Sequence, residues 1–246
     1  MRRSVWITLA ALAVFAAIVL ARAPASWVVP SGPDSPIACA AVDGTLWSGV
    51  CTGLSVRRQP VGDLSWDFLP RALLRGRVGA RVTLSQGQAH AAGDLEAGLG
   101  GRIVLRNVQA DFPLDPKLVP GIPATLHGNA HADFALARLR NGVIEELQGQ
   151  IEAHDLEDRA GHVTPLGSYR IRFPGGAQAN QVGQLRDLGG PLSIEGTVTL
   201  RPNRSFDVQA LVAARPEATP ELANNLRYLG SPDAAGRRQF SMSGSL

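Results

Sequence analysis

The sequence predicts a mainly β chain. A single N-terminal transmembrane helix is followed by an exported antiparallel β-meander with one short C-terminal helix. Three observations carry this expectation. Apolar and polar residues alternate with a period of two through most of the chain, as half-buried antiparallel strands do. Many of the 27 glycines and 17 prolines sit between the alternating stretches, where turns are needed. A basic start, Met1-Arg2-Arg3-Ser4, precedes an uncharged apolar run from Val5 to Ala21.

That run is short for a membrane-spanning helix, which takes about 20 residues. It is long for the apolar part of a signal peptide, about 7–15 residues. Ala21-Arg22-Ala23 resembles a cleavage site, yet Pro24 follows the scissile bond. A retained anchor and a cleaved signal both stay open, and the anchor, extended over residues 5–23 towards Trp27, is the reading adopted. Basic residues before the span keep the N-terminus cytoplasmic and export the rest. The expected organisation is a cytoplasmic start at 1–4, the span at 5–23, an extended tether "PASWVVPSGPDSP" at 24–36, and a β-domain at 37–246.

The strands read as follows. "RVGARVTLSQ" at 77–86 alternates Val78, Ala80, Val82 and Leu84 with polar or small residues. "GRIVLRNVQADF" at 101–112 places Ile103 and Leu105 in one phase and Val108, Ala110 and Phe112 in the other, which predicts a bulge near Asn107. "GNAHADFALARL" at 128–139, "PLSIEGTVTLRP" at 191–202 and "SFDVQALVAARP" at 205–216 continue the pattern. Asp43-Gly44, Gln86-Gly87, Gly100-Gly101, Asn141-Gly142, Gly175-Gly176 and Gly189-Gly190 are the expected hairpin connections. The result is a meander of about a dozen strands. Helices are few. Thr219 is a candidate N-cap before Pro220, a Leu222/Leu226/Leu229 stripe follows, and Gly230 stops it. A helical turn is expected near Pro70–Leu74. An open curved sheet and a closed sandwich share this alternation.

Cys39 and Cys51 are the two cysteines of the chain. In an exported domain the default is a disulfide, which would stabilise by about 3 kcal/mol on the chain-entropy account. The spacing is not Cys-x-x-Cys, and neither cysteine has a nearby histidine, so redox and zinc readings are weak. A two-residue turn at Asp43-Gly44 would set Cys39 opposite Ser48, so the bridge requires a longer connection, a bulge, or pairing across a bend at Ser48-Gly49. Gly44, Gly49 and Gly53 are expected to supply positive φ or bulges there. Trp47 and Trp66 are expected as packing anchors, with contact to a partner as the competing role.

The net charge of +3 is spread along the chain, which excludes a nucleic-acid patch. No nucleophile elbow or zinc-helix motif occurs. His127 and His131 lie about 13 Å apart if the segment is a strand, too far to share a metal. The carboxylate pairs Glu145-Glu146 and Glu157-Asp158 point to opposite faces of a strand. The sequence therefore predicts no enzyme, no cofactor and no metal.

Three stretches carry a family resemblance: "VDGTLWSGVCTGL" at 42–54, "VGDLSWDFLPRALLRGRV" at 61–78 and "LRYLGSPDAAGRRQFSMSGSL" at 226–246. In order, spacing and topology the whole chain resembles the type II secretion system protein N family. The resemblance implies a single-pass protein of the Gram-negative inner membrane with a periplasmic β-domain. It also implies an accessory scaffold or assembly role beside the inner-membrane platform and the outer-membrane secretin. A further, fold-level likeness to AsmA-like envelope proteins implies a curved sheet with an apolar groove. From that comes an alternative: a periplasmic lipid or hydrophobic-ligand carrier using Val78, Val82, Ile103, Leu105, Phe134, Ile194 and Val198. Exposed strand edges that recruit partner strands are the mechanism expected for the scaffold reading.

Overall fold

A computed structural model of the protein describes residues 11–12, 14–15, 18–27, 35, 37–115 and 123–245. One sheet of fourteen strands dominates it. A broken edge, β1 (Ile37–Ala38) and β2 (Ala41–Gly44), pairs along one side of β3 (Ser48–Val56). From β3 onwards every strand bonds to the next in sequence. These are β4 (Gln59–Phe68), β5 (Val78–Gln86), β6 (Ala89–Gly98), β7 (Arg102–Pro113), β8 (Leu126–Arg140), β9 (Val143–Asp158), β10 (Thr164–Pro174), β11 (Gln181–Gly189), β12 (Leu192–Leu200), β13 (Ser205–Ala214) and β14 (Arg238–Ser245). The ladder runs from β1/β2 to β14 without joining its ends, so the sheet is open.

Register turns the alternation into one continuous apolar face. Cys51 lies opposite Leu64, Leu64 opposite Leu84, and the row continues through Ala91, Ala110, Ala132, Ile151, Ile171, Leu185, Gly196 and Ala210 to Phe240. A one-residue slip anywhere along it would turn the next strand's apolar side outward. Among the described residues no separate layer covers this face, and over the later strands the sheet's own curl buries Phe173, Val198 and Val212. The accessible surface is 15624 Å², against about 10,500 Å² for a compact protein of this mass.

The sheet curls over its later strands. Leu200, at the end of β12, packs with the buried group Ala137, Leu147 and Phe173 from β8–β10. Arg204, in the β12–β13 turn, lies against the β8–β9 turn: a Cβ on Gly142 would stand 2.7 Å from its guanidinium. Where β10 ends, buried Gln181 stands in for the missing strand. Its side chain accepts from the Leu147 N–H at 3.0 Å and donates to the Glu145 carbonyl at 3.0 Å. Gly149 faces Phe134 so closely that a Cβ there would sit 2.6 Å from the Phe134 Cα, so this strand crossing requires glycine.

Two short helices sit outside the sheet. Helix α1 (Pro70–Leu73) starts on a proline and buries Ala72 against Gly79, where a Cβ would come within 2.7 Å of the Ala72 Cβ. Helix α2 (Pro220–Asn225) is capped by the Thr219 hydroxyl, which accepts from the Leu222 N–H. A 3-10 turn, Leu226–Leu229, continues it and ends at Gly230 with φ of 98°. The expected bulge is present. Asn107 has φ of 49°, and the β6–β7 register shifts between Ala92 and Asp94.

Asp43-Gly44 is not the first hairpin turn. Both residues belong to β2, opposite Val50 and Gly49, and the chain reverses over Thr45–Ser48. There the Thr45 N–H donates to the Ser48 carbonyl, and the Thr45 hydroxyl accepts from the Trp47 and Ser48 N–H groups. The threonine side chain holds this turn, so the glycine signal one residue earlier pointed to the wrong place. Residues 5–10, 13 and 16–17 of the expected span at 5–23 lie outside the described residues. Residues 11–12, 14–15 and 18–21 are helical, the helix ends before Arg22 and Ala23, and no helix among the described residues is long and apolar enough to cross a membrane.

Candidate functional site

The candidate site is built at the corner where the N-terminal segment meets the first hairpin. Cys39 lies in the break between β1 and β2, and Cys51 lies on β3. Moving the turn to Thr45–Ser48 brings their Cα atoms to 5.6 Å, and the two are joined in a disulfide. Cys39, Cys51 and Leu54 are buried together beneath Val42, Val61, Leu64, Trp66 and Leu84. The staple therefore sits on the apolar face, at its N-terminal edge.

The glycines act differently from one another. Gly44 has φ of 100° and Gly53 has φ of 62°, so both supply left-handed backbone. Gly49 does not. It leaves room for the Trp66 ring, which a Cβ there would meet at 2.5 Å. The indole lies across the cross-strand glycine and covers backbone that would otherwise be open.

Trp47 is not free. Its Nε1–H donates to the Leu20 carbonyl at 2.9 Å, and its ring meets Phe68 edge-on at 4.8 Å. The Leu20 carbonyl lies at the helix C-terminus and also accepts from the Ala23 N–H at 3.3 Å, so the indole is its second donor. The Leu46 N–H donates to the Ala23 carbonyl at 3.0 Å, Pro24 pairs with Thr45, and Ala23 and Ala25 are buried. The N-terminal helix thus arrives at the sheet in a defined direction. Trp47→Phe should keep the ring contact and lose the hydrogen bond, which costs about 1 kcal/mol locally. The expected readout is faster proteolysis near Arg22 with little change in global melting. Unchanged cleavage would show that the indole N–H does not hold the segment.

The sheet's opposite face carries a feature with no linear signature in the sequence. Asp94 and Glu96 on β6 are almost completely buried beside α1, and arginines from four segments converge on them. Arg71 and Arg81 reach Asp94 at 2.8 and 3.0 Å; Arg75 and Arg77 reach Glu96 at 2.8 and 3.0 Å, with Arg106 at 3.8 Å. The signal lay in "PRALLRGR" followed by "DLE", two stretches that only strand pairing brings together.

Several other charged groups form structural pairs. His131 contacts Asp111 at 2.7 Å, and Glu145 and Glu146 pair with Arg140 and Arg138. His127 borders a separate hollow near Glu157 and Arg159. Among the described residues no cluster of three or more His, Cys, Asp or Glu could hold a metal. The hydrogen bond from Arg170 holds the Glu152 carboxyl below its usual range, although partial burial opposes it. At Asp187 burial pushes upward, but Arg215 and the Ile194 and Gly189 N–H groups outweigh it, and the net shift is downward. Carboxyls depressed on folding stabilise above their unfolded pKa, near 4, and lose that contribution as pH falls through the lower folded value. Stability should therefore be flat from neutral pH to about pH 5 and decline below about pH 4. Denaturant midpoints against pH check this. A midpoint that holds steady to pH 2 would rule it out.

The apolar face is open over β4–β7, whereas Phe173, Val198 and Val212 on the later strands are buried. A hollow of about 250 Å³ on it is lined by Leu54, Leu64, Val82, Leu95, Leu105 and Val108. Val78, Ile103, Phe134, Ile194 and Val198 share the face by register. The two sheet edges differ. β1 and β2 are interrupted at Cys39-Ala40, and the β2 end is covered by Pro24. β14 presents eight residues, Arg238–Ser245, paired only to β13 among the described residues.

Comparison with known proteins agrees with this architecture. The family model described as type II secretion system (T2SS), protein N matches residues 35–241. The chain is 28% identical to the type II secretion system protein N of Aeromonas hydrophila over 249 residues, covering 96% of each chain. It is 25% identical to the type II secretion system protein N of Vibrio cholerae serotype O1 over 225 residues, covering 83% of each. No solved structure matches it.

Proposed function

Because this chain belongs to the type II secretion system protein N family, and so has a role in type II secretion, we propose that it is an accessory scaffold linking the inner-membrane platform to the outer-membrane secretin. Residues 5–23 anchor it in the inner membrane as a single span, with the tether at 24–36 and the β-domain from residue 37 exported to the periplasm. The disulfide suits such an oxidising compartment.

The observation that carries the reading is the open β14 edge. An unpaired strand edge is a template for another strand, and natural sheets usually blunt it with lysine, proline or a bulge. The segment "QFSMSGS" at 239–245 has none of these. Phe240 and Met242 lie on the apolar face and serines on the other, so an incoming strand would alternate apolar with small polar residues. Pairing is thus directed to this edge, while the β1/β2 edge stays tied to the anchor.

Prolines placed singly at Ser241 and Met242 sample both backbone orientations. The variant whose lost N–H faced outward should keep its thermal stability and lose co-purification of secretin and platform proteins. If both fold and both retain those partners, the edge is not the contact.

A second reading has its own observation, the uncovered hollow beside Leu105 and Leu95. A lipid or other apolar ligand could occupy it. Native mass spectrometry of protein extracted in a mild detergent would find bound lipid in that case, and its complete absence would remove the carrier role.

A further inference from the structure

The meander sends alternate connections to two ends of the sheet, and the two ends differ in chemistry. One end holds the connections 45–47, 69–77, 99–101, 141–142, 175–180 and 201–204. They contain Arg71, Arg75, Arg77, Arg201 and Arg204 and no carboxylate. The strand termini Arg102 and Arg140 face each other there, Arg140 paired with Glu145 at the start of β9. Arg102, Arg201 and Arg204 are exposed and make no ion pair among the described residues. Around Asp94 and Glu96, arginines outnumber carboxylates, so that cluster also keeps a net positive charge. The opposite end mixes signs, with Asp115, Glu217, Glu221 and Asp233 beside its arginines.

The same positive end carries protruding leucines. Leu74 is 90% exposed and Leu99 is 95% exposed, at the tips of the α1 and β6–β7 connections, and Leu73 is exposed beside them. It is also where the N-terminal helix arrives, clamped through Trp47 to Leu20. That helix shows exposed Leu12, Val14, Phe15, Ile18 and Leu20. Arginines around apolar tips, next to an apolar helix, are what a surface resting on anionic headgroups requires. The leucines enter the interface while the guanidinium groups stay at phosphate level.

We propose that this end of the sheet, led by Leu74 and Leu99 and ringed by Arg75, Arg102, Arg201 and Arg204, lies on the anionic surface of the membrane from which the N-terminal helix emerges. The contact sets the tilt of the sheet and directs β14 away from the anchor's own corner. It rests on the anchor reading of residues 5–23.

Full-length protein carrying a nitroxide at Leu74→Cys, Leu99→Cys or, at the opposite end, Gln88→Cys tests this in vesicles of phosphatidylethanolamine and phosphatidylglycerol. Labels at 74 and 99 should collide several-fold less with a water-soluble nickel complex than the label at 88, and more with oxygen. In phosphatidylcholine vesicles that protection should weaken, and equal protection there would overturn the role of the arginines. If the protein floats with the vesicles but positions 74 and 99 are as exposed as 88, the surface contact is wrong and the anchor stands. If it does not float, the anchor reading fails and this proposal fails with it.

Discussion

Glu96→Ala is expected to destabilise the domain by about 3 kcal/mol. Glu96 is buried to 2% exposure and accepts from Arg75 and Arg77, with Arg106 3.8 Å away. Taking away the carboxylate strands partly buried cations, which is costlier than removing a whole pair. The low end of the usual range applies because Arg75 keeps nearly half its side chain in water. By contrast Arg71→Ala, at a guanidinium 59% exposed, should cost less than about 1 kcal/mol. Urea unfolding of both variants measures the difference. Released α1 should also be cut faster at Arg75 and Arg77. If Glu96→Ala costs no more than Arg71→Ala, the buried carboxylate does not hold α1 to the sheet.

Replacing both Cys39 and Cys51 with alanine should cost a further, independent amount of about 3 kcal/mol. The bridge closes a separation of 12 residues, and Cys51 is itself buried in the cluster under Trp66 and Leu64. Loop closure accounts for most of the loss. Reducing the wild-type protein should reproduce nearly the same shift in denaturant midpoint, since the packing is then hardly changed. A double variant that unfolds with the wild-type midpoint would mean that the bridge contributes nothing. Two additional effects are expected. Secretion should fall with stability, and supplying the variant at lower temperature should restore it, because both cysteines are buried within the domain.

Period-two alternation made the strands legible. Val78 to Leu84, and Phe206 to Val212, fall on the face their spacing assigns. The phase slip at Asn107 is the bulge it signalled, and the Thr219–Gly230 signals delimit α2 and its 3-10 extension. The first hairpin was misplaced because a glycine with φ of 100° can end a strand as well as form a turn. Local sequence does not show that Thr45 supplies the turn's hydrogen bonds. Trp47 and Trp66 stood out as large apolar side chains, but what they meet, the Leu20 carbonyl and the space over Gly49, was not legible. The buried carboxylates were missed because Asp94 and Glu96 read as exposed alternating charges until α1 is placed over them.

The sequence by itself determined the class of this protein, the number and phase of most strands, the family resemblance and the pairing of its two cysteines. Each of these depends on local periodicity, spacing or composition. Tertiary structure alone decided that the sheet stays open, which edge is unblocked, and that one end gathers arginines and bare leucines. Those properties arise from register between strands, a long-range relation. A row from Cys51 to Phe240 has apolar partners at every crossing whether the sheet closes or not, and only the packing of its ends distinguishes the two.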